Sequence, residues 1–283
     1  MATTFYNTAT LSYNGITTTS NTVTGEIADN LTVMKTALTE GYAAGSEKTF
    51  VISLVNSGTT PLTGLTVTDD LGAYTFETGT VTPLTYVEDS AQYFVGGVPQ
   101  TEPAVTAGPP LVFNGIGVPA GGDSSIIYKA TVNEYAPLAA GASITNTVTV
   151  TGSGLAAPAT ASETITAETE PLLAIAKAVD PAVVTAAGTL TYTFTITNVG
   201  NTAADATDNV TVTDLFDPEL SAVTASLDGT PLTAGADYSY SGGTFRTTPG
   251  VITVPAATYA QTAATGAWSV TPGSAVLTVT GTV

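Results

Sequence analysis

Apolar and polar residues alternate along most of this chain with a period of two, the pattern of strands that bury one face. The clearest runs are NTATLSY (7–13), LTVMKTA (31–37), KTFVISLVN (48–56), LTGLTVTDDLG (62–72), SSIIYKATVN (124–133) and SITNTVTVTG (143–152). Gly, Pro, Asn and Asp punctuate them. Helical periodicity nowhere persists beyond about three turns. EYAPLAAGAS (134–143) is apolar enough for a helix, but Pro137 and Gly141 make it a connector. Short strands with frequent turn signals predict an all-β chain built of β-sandwiches.

The pattern occurs twice. LTVMKTALTEGYAAGSEKTFVISLVNSG (31–58) lines up with LAIAKAVDPAVVTAAGTLTYTFTITNVG (173–200), placing Lys177, Asn198 and Gly200 opposite Lys35, Asn56 and Gly58 at one offset, 177 − 35 = 142. Downstream, LTVTDDL (65–71) matches VTVTDLF (210–216) and pairs Asp69 with Asp214. YVEDSAQYFVGGVPQT (86–101) and ASLDGTPLTAGADYSY (225–240) correspond loosely, as insertions between strands would. The copies differ at their ends. The first runs through GGDSSIIYKATVN into a closing hairpin, SITNTVTVTGSGLAAPATASETIT (143–166); the second reaches TPGSAVLTVTGTV, the counterpart of the first of those segments, and stops. FYNTATLSYNGITTTSNTVTGEI (5–27) has the form of the closing hairpin and would restore the period if placed after Val283. The expected organisation is a hairpin and connector over 1–30, a complete domain over 31–168, and a domain over 169–283 that lacks its closing hairpin.

Composition narrows the function. With 23 acidic residues, five basic ones and a net charge of −18, nucleic acid and anionic membrane surfaces are poor partners. The chain has no His and no Cys, which removes the commonest general base, the thiol nucleophile, disulfides and most transition-metal ligands. The acidic turns VEDS (87–90) and DATDN (205–209) lack the ligand spacing of a calcium loop and read as solvated turns. Trp268 reads as a core or interface residue. No run reaches the 18 or so apolar residues of a membrane-spanning helix. MATTFYNTAT has no basic region followed by an apolar core, so a secretory signal is not expected there. Either the chain is a mature form with an added Met1, or it is made in a cell that later releases it.

The segments LAIAKAVDPAVVTAAGTLTYTFTITNVGN and NVTVTDLFDPEL resemble the conserved repeat domain of unknown function found in bacterial and archaeal surface proteins. Its pattern is a lysine-bearing first strand, an N-x-G turn, a V-T-D strand end and a closing I-T-N-T-A-T-V strand. The resemblance covers most of 31–168, and 173–283 without the closing strand. It implies an immunoglobulin-like fold used in extracellular scaffolds, fibres and coats. The layout is also similar to Gram-positive pilin and adhesin domains with internal Lys–Asn isopeptide bonds. Two departures stand out: TDDL in the first copy, and no asparagine strand in the second.

Period-two alternation assigns a face to each candidate. Lys35 shares one with Leu31 and Val33, Lys177 with Leu173 and Ile175, Asp69 with Leu65 and Val67, and Asp214 with Val210 and Val212. Asn146 goes with Ile144, Val148 and Val150, and Asn7 with Phe5, Ala9, Leu11 and Tyr13. All are expected to point where the large apolar side chains point. Burial lowers a lysine pKa and raises that of an aspartic acid, so a neutral amine, a protonated acid and a carboxamide can meet. The amine then attacks the amide carbon while the acid polarises the carbonyl, ammonia leaves, and proximity supplies much of the rate. In copy one the expected bond joins Lys35 to Asn146 with Asp69 as promoting acid; Asp70 is the substitute but should face outward. The solvent-facing, aggregation-blocking role of strand lysines is the plain alternative.

Copy two has Lys177 and Asp214, and its missing amide has a counterpart in Asn7. The expected reading is therefore structural. Two tandem immunoglobulin-like sandwiches follow a donor hairpin, whose strand (Phe5, Asn7, Ala9, Leu11, Tyr13) enters the incomplete domain of a neighbouring copy, where Asn7 bonds to Lys177. The partner is the chain itself, in a head-to-tail homopolymer. No cofactor, metal, nucleic acid or membrane insertion is expected, nor turnover of an external substrate. The location expected is extracellular, on a cell or spore surface, the latter by analogy with endospore appendages. The alternative is a stalk or binding module from a longer adhesin.

Overall fold

A computed structural model describes residues 3–27 and 30–283, most of them in strands and turns. Among the described residues the only helical element is a single 3₁₀ turn, Ala206–Asp208. The chain divides into two compact units, Met1–Ala136 with Ser143–Thr166, and Pro137–Ala142 with Ala167–Val283. Both are β-sandwiches of the immunoglobulin-like, all-β class.

In the first unit, one sheet runs in the order Val98–Pro99, Gln92–Val95, Asp123–Val132, Glu47–Asn56, Leu31–Ala37. The other runs Ala104–Thr106, Leu111–Val118, Leu62–Asp69, Ser143–Thr151, Ala159–Ala167, Gly41–Tyr42. Alternate residues of the two inner faces fill the core: Phe50, Ile52, Leu54 and Tyr128 from the first, Leu65, Val67, Phe113, Val148 and Val150 from the second. Burying each such side chain is worth about 1.5–3 kcal/mol, which pins the register, since a one-residue slip would turn every one of them to water. The segment read as an insertion, 86–101, instead adds to the first sheet: Gln92–Val95 pairs with Asp123–Val132 and turns back at Gly96–Gly97.

The second unit repeats the first sheet, in the order Leu173–Asp180, Thr189–Asn198, Gly273–Thr282, Ser221–Leu227, Thr230–Pro231. Its second sheet has three strands, Thr213–Leu215, Thr244–Thr247 and Tyr238–Ser241. The Asp69 strand lies between Leu111–Val118 and Ser143–Thr151, whereas among the described residues the Asp214 strand is paired on one side only, by Thr244–Thr247. The unit still has a core, built from Phe194, Ile196, Phe216, Phe245, Leu277 and Val279 among others.

Residues 3–27 form a ribbon. Thr3–Asn7 pairs with Val23–Ile27 and Thr10–Tyr13 with Ile16–Thr19, around a turn at Asn14–Gly15 with both residues at positive φ. The sequence predicted one unbroken strand from residue 5. The structure interrupts it at Thr8–Ala9, because the returning strand carries an extra residue there and Ser20 Oγ accepts the Ala9 N–H. The ribbon's apolar side chains stand in solvent: Phe5 is 49% exposed, Leu11 62% and Tyr13 54%.

Candidate functional site

The turn after the Asp69 strand aims its acid. Leu71 takes a left-handed φ of 55° and donates its N–H to Asp69 Oδ1 at 3.0 Å, which leaves Oδ2 for the core. Gly72 follows at φ 73°, and any Cβ there would lie 2.5 Å from Ile144, so the turn accepts only glycine. Asp70, the substitute acid, accepts N–H bonds from Gly72 and Thr147 at 2.9 and 2.8 Å and braces the turn against the Asn146 strand.

Lys35 Nζ lies 2.5 Å from Asp69 Oδ2, and both side chains are 0% exposed. The same oxygen accepts the Tyr128 hydroxyl at 2.6 Å, and the Tyr128 oxygen in turn accepts from Asn146 Nδ2 at 3.0 Å. Lys35, Asp69, Tyr128 and Asn146 thus form one continuous buried chain of polar groups between the sheets, with lysine on one sheet and asparagine on the other. Asn146 Oδ1 is buried without a hydrogen-bond partner, a group that ordinarily costs about 1–3 kcal/mol. The Lys35 amine also lies 5.4 and 5.9 Å from the ring centres of Phe50 and Tyr128. Burial pulls the Lys35 pKa below its ordinary value, against the opposing pull of Asp69, Asp70 and Glu163. Burial, with the Asp69 carboxylate next in weight, pushes the Tyr128 hydroxyl well above the usual phenol range.

Tyr128 was absent from the sequence-based set. The signal was present, because it sits on the inward phase of SSIIYKATVN, but an inward tyrosine reads as packing. Its ring packs against Phe50, Phe113 and Tyr86 at centroid distances of 5.5, 5.7 and 6.4 Å.

The second unit brings Lys177 and Asp214 into a direct ion pair. The Lys177 amine lies 4.7 Å from the Tyr192 ring centre, with Phe216 at 5.3 Å and Phe194 at 5.5 Å. The surroundings differ from those of Lys35. Lys177 and Asp214 side chains are 40% and 18% exposed, and every residue of Leu173–Asp180 is exposed, including Ile175 at 57%. Lys177 and Ile175 stand opposite the core residues Phe194 and Ile196, so the strand presents the expected face to the core side, but that face is exposed. Nothing among the described residues covers the face that the Ser143–Thr151 and Ala159–Ala167 hairpin covers in the first unit. Asn7 lies on the exposed ribbon.

The asparagines of the two N-x-G turns do different work. Asn56 accepts the Gly58 N–H at 2.9 Å and donates to Thr60 and Val118 carbonyls at 2.8 and 3.3 Å. Asn198 accepts from Gly200 and Leu172 and donates to Thr202 and Pro255. Both are saturated, structural amides. Asn56→Ala is expected to cost the first unit about 2–3 kcal/mol in denaturant unfolding, with no change in the protein's covalent state by intact mass.

No protein-family model matches this chain, and no curated protein matches it in sequence. Among solved structures it is similar to the collagen-binding subdomain of the Enterococcus faecalis surface protein ACE: 8% identity, 47% of this chain and 95% of that one, TM-score 0.31. It is also similar to a C-terminal fragment of the major pilin of Streptococcus agalactiae: 12% identity, 78% and 79%, TM-score 0.36. A third is the major pilin subunit of Bacillus cereus, at 10% identity, 87% and 63%, TM-score 0.38. At these scores the likeness is broad, and the fold rests on the strands described above.

Proposed function

We propose that this protein is the structural subunit of an extracellular filament, joined head to tail by strand donation and locked by Lys–Asn isopeptide bonds within and between subunits. The observation that carries the reading is the edge of the Asp214 strand, unpaired among the described residues, beside an exposed Lys177, in a chain whose N-terminal ribbon repeats the hairpin that fills the same edge around Asp69. The ribbon lacks a core of its own, and an isolated two-stranded hairpin is marginal in water. Docked against the Asp214 strand it would gain a ladder of backbone hydrogen bonds and bury apolar faces now in solvent on both partners. The contact joins two different surfaces, so it propagates into a filament. A surface location, on a cell or spore, fits such an assembly.

The chemistry follows the first unit. One proton passing from the Lys35 ammonium to Asp69 would leave a neutral amine in the same buried polar chain as the Asn146 amide, away from water. Asn7 would bring the same amide to Lys177 and Asp214. By the register of the first unit, where Val148 pairs with Asp69 two residues after Asn146, Ala9 would pair with Asp214.

Removing residues 1–30 tests the assembly. The truncated protein is expected to stay monomeric in size-exclusion chromatography and to form no filaments by electron microscopy, while the full chain polymerises. Filaments of the truncated protein would show that something other than this ribbon occupies the open edge.

A further inference from the structure

We infer that the Tyr128 hydroxyl is the acid that hands a proton to the departing nitrogen of Asn146, making it a catalytic residue of cross-linking in the first unit. The inference rests on the reading that a Lys35–Asn146 bond forms. The hydroxyl is interposed between the acid and the amide, 2.6 Å from Asp69 Oδ2 and 3.0 Å from Asn146 Nδ2. It has one proton, and that proton points at Asp69. Only a lone pair remains for the asparagine, so the NH₂ side of the amide must face it. The leaving atom, not the carbonyl oxygen, is therefore the one that touches Tyr128. Three aromatic neighbours fix the ring and hence the aim of the hydroxyl. Its high pKa, set by burial and by Asp69, keeps it protonated, as a proton donor must be.

The step balances. Neutral Lys35 Nζ forms a bond to Asn146 Cγ, pushing the carbonyl electron pair onto Oδ1. Tyr128 gives its proton to Nδ2 and takes one from protonated Asp69. Asp69 then accepts a proton from the attacking nitrogen, and the C–N bond to Nδ2 breaks with its electron pair as the carbonyl re-forms. Amine and carboxamide become a secondary amide and ammonia, with tyrosine and acid restored.

The second unit is built differently. Across the sheet Tyr128 stands opposite Phe50, while its counterpart Val279 stands opposite Tyr192. The phenol has moved to the neighbouring strand, beside Lys177, so the hydroxyl-to-amide relay is specific to the first unit.

The test is intact-mass spectrometry over time on full-length protein freshly made by cell-free translation. Wild type is expected to lose about 17 Da, one ammonia, and Tyr128→Phe to do so at least about 100-fold more slowly, the usual worth of a positioned acid. Equal rates overturn the inference. A wild type that never loses ammonia overturns the cross-link itself, a different result. Circular dichroism confirms that the variant folds. Should it not, fluorotyrosine placed at 128 keeps the ring and makes the phenol more acidic. A rate that rises with acidity supports the relay, and an unchanged rate refutes it, since a packing role is indifferent to phenol acidity.

Discussion

Asn7→Ala is expected to abolish the covalent ladder that wild-type filaments would leave after boiling in detergent, while the filaments themselves persist. The substitution takes away the one carboxamide that the ribbon would bring to Lys177 but keeps Phe5, Leu11 and Tyr13. At about 1.5–3 kcal/mol for each large apolar side chain buried, donation alone would supply several kcal/mol before entropy costs. Lys177→Ala is expected to give the same gel. Mixing the two variants is sharper. The Lys177→Ala copy still carries Asn7, and the Asn7→Ala copy still carries Lys177, so only one orientation of contact can react. The mixture is expected to show a covalent dimer and nothing larger. A ladder from either variant alone, or bands beyond the dimer from the mixture, would place the junction elsewhere.

How much of this could be read in advance varies by residue. Lys35, Asp69 and Asn146 were legible because alternation reports which side chains face inward, and all three share a phase with Leu, Ile or Val. The buried ion pair and the position of Asn146 follow from that phase. Lys177 obeys the same phase yet is exposed, because periodicity records the face a strand is built to bury and is silent on what covers it. The role of Tyr128 was not legible, since its partner Asp69 is 59 residues away and is brought to it only by the packing of two sheets. The hairpin at 92–99 was missed because its strands are short and its alternation is broken by Gly96 and Gly97. The break at Thr8–Ala9 depends on an extra residue in the opposite strand, which no single-strand pattern contains.

Asp69→Ala tests an atom with two buried partners at once, since Asp69 Oδ2 receives both the Lys35 amine and the Tyr128 hydroxyl. The first unit of this variant is expected to keep its full mass, with no ammonia lost, and to melt far below wild type. Two costs combine. A buried ion pair stripped of one partner ordinarily loses about 3–5 kcal/mol. The missing bond would have closed a loop of 146 − 35 = 111 residues, and by analogy with disulfides a link across about 100 residues contributes about 4.7 kcal/mol. Against the 5–15 kcal/mol total stability of ordinary domains, that loss is large. A second substitution separates the costs: Lys35→Met in the Asp69→Ala background removes the stranded ammonium and fills its space, so the double variant should be the more stable of the two. The sign with pH is also fixed. Burial depresses the Lys35 pKa in the folded state, so between that value and about 10.5 the unfolded chain holds the extra proton. Stability of Asp69→Ala therefore climbs as pH rises through that window, whereas the double variant, with no amine at 35, lacks this rise. A double variant no more stable than the single one, or an Asp69→Ala protein that still sheds ammonia, would take Asp69 out of the role given to it.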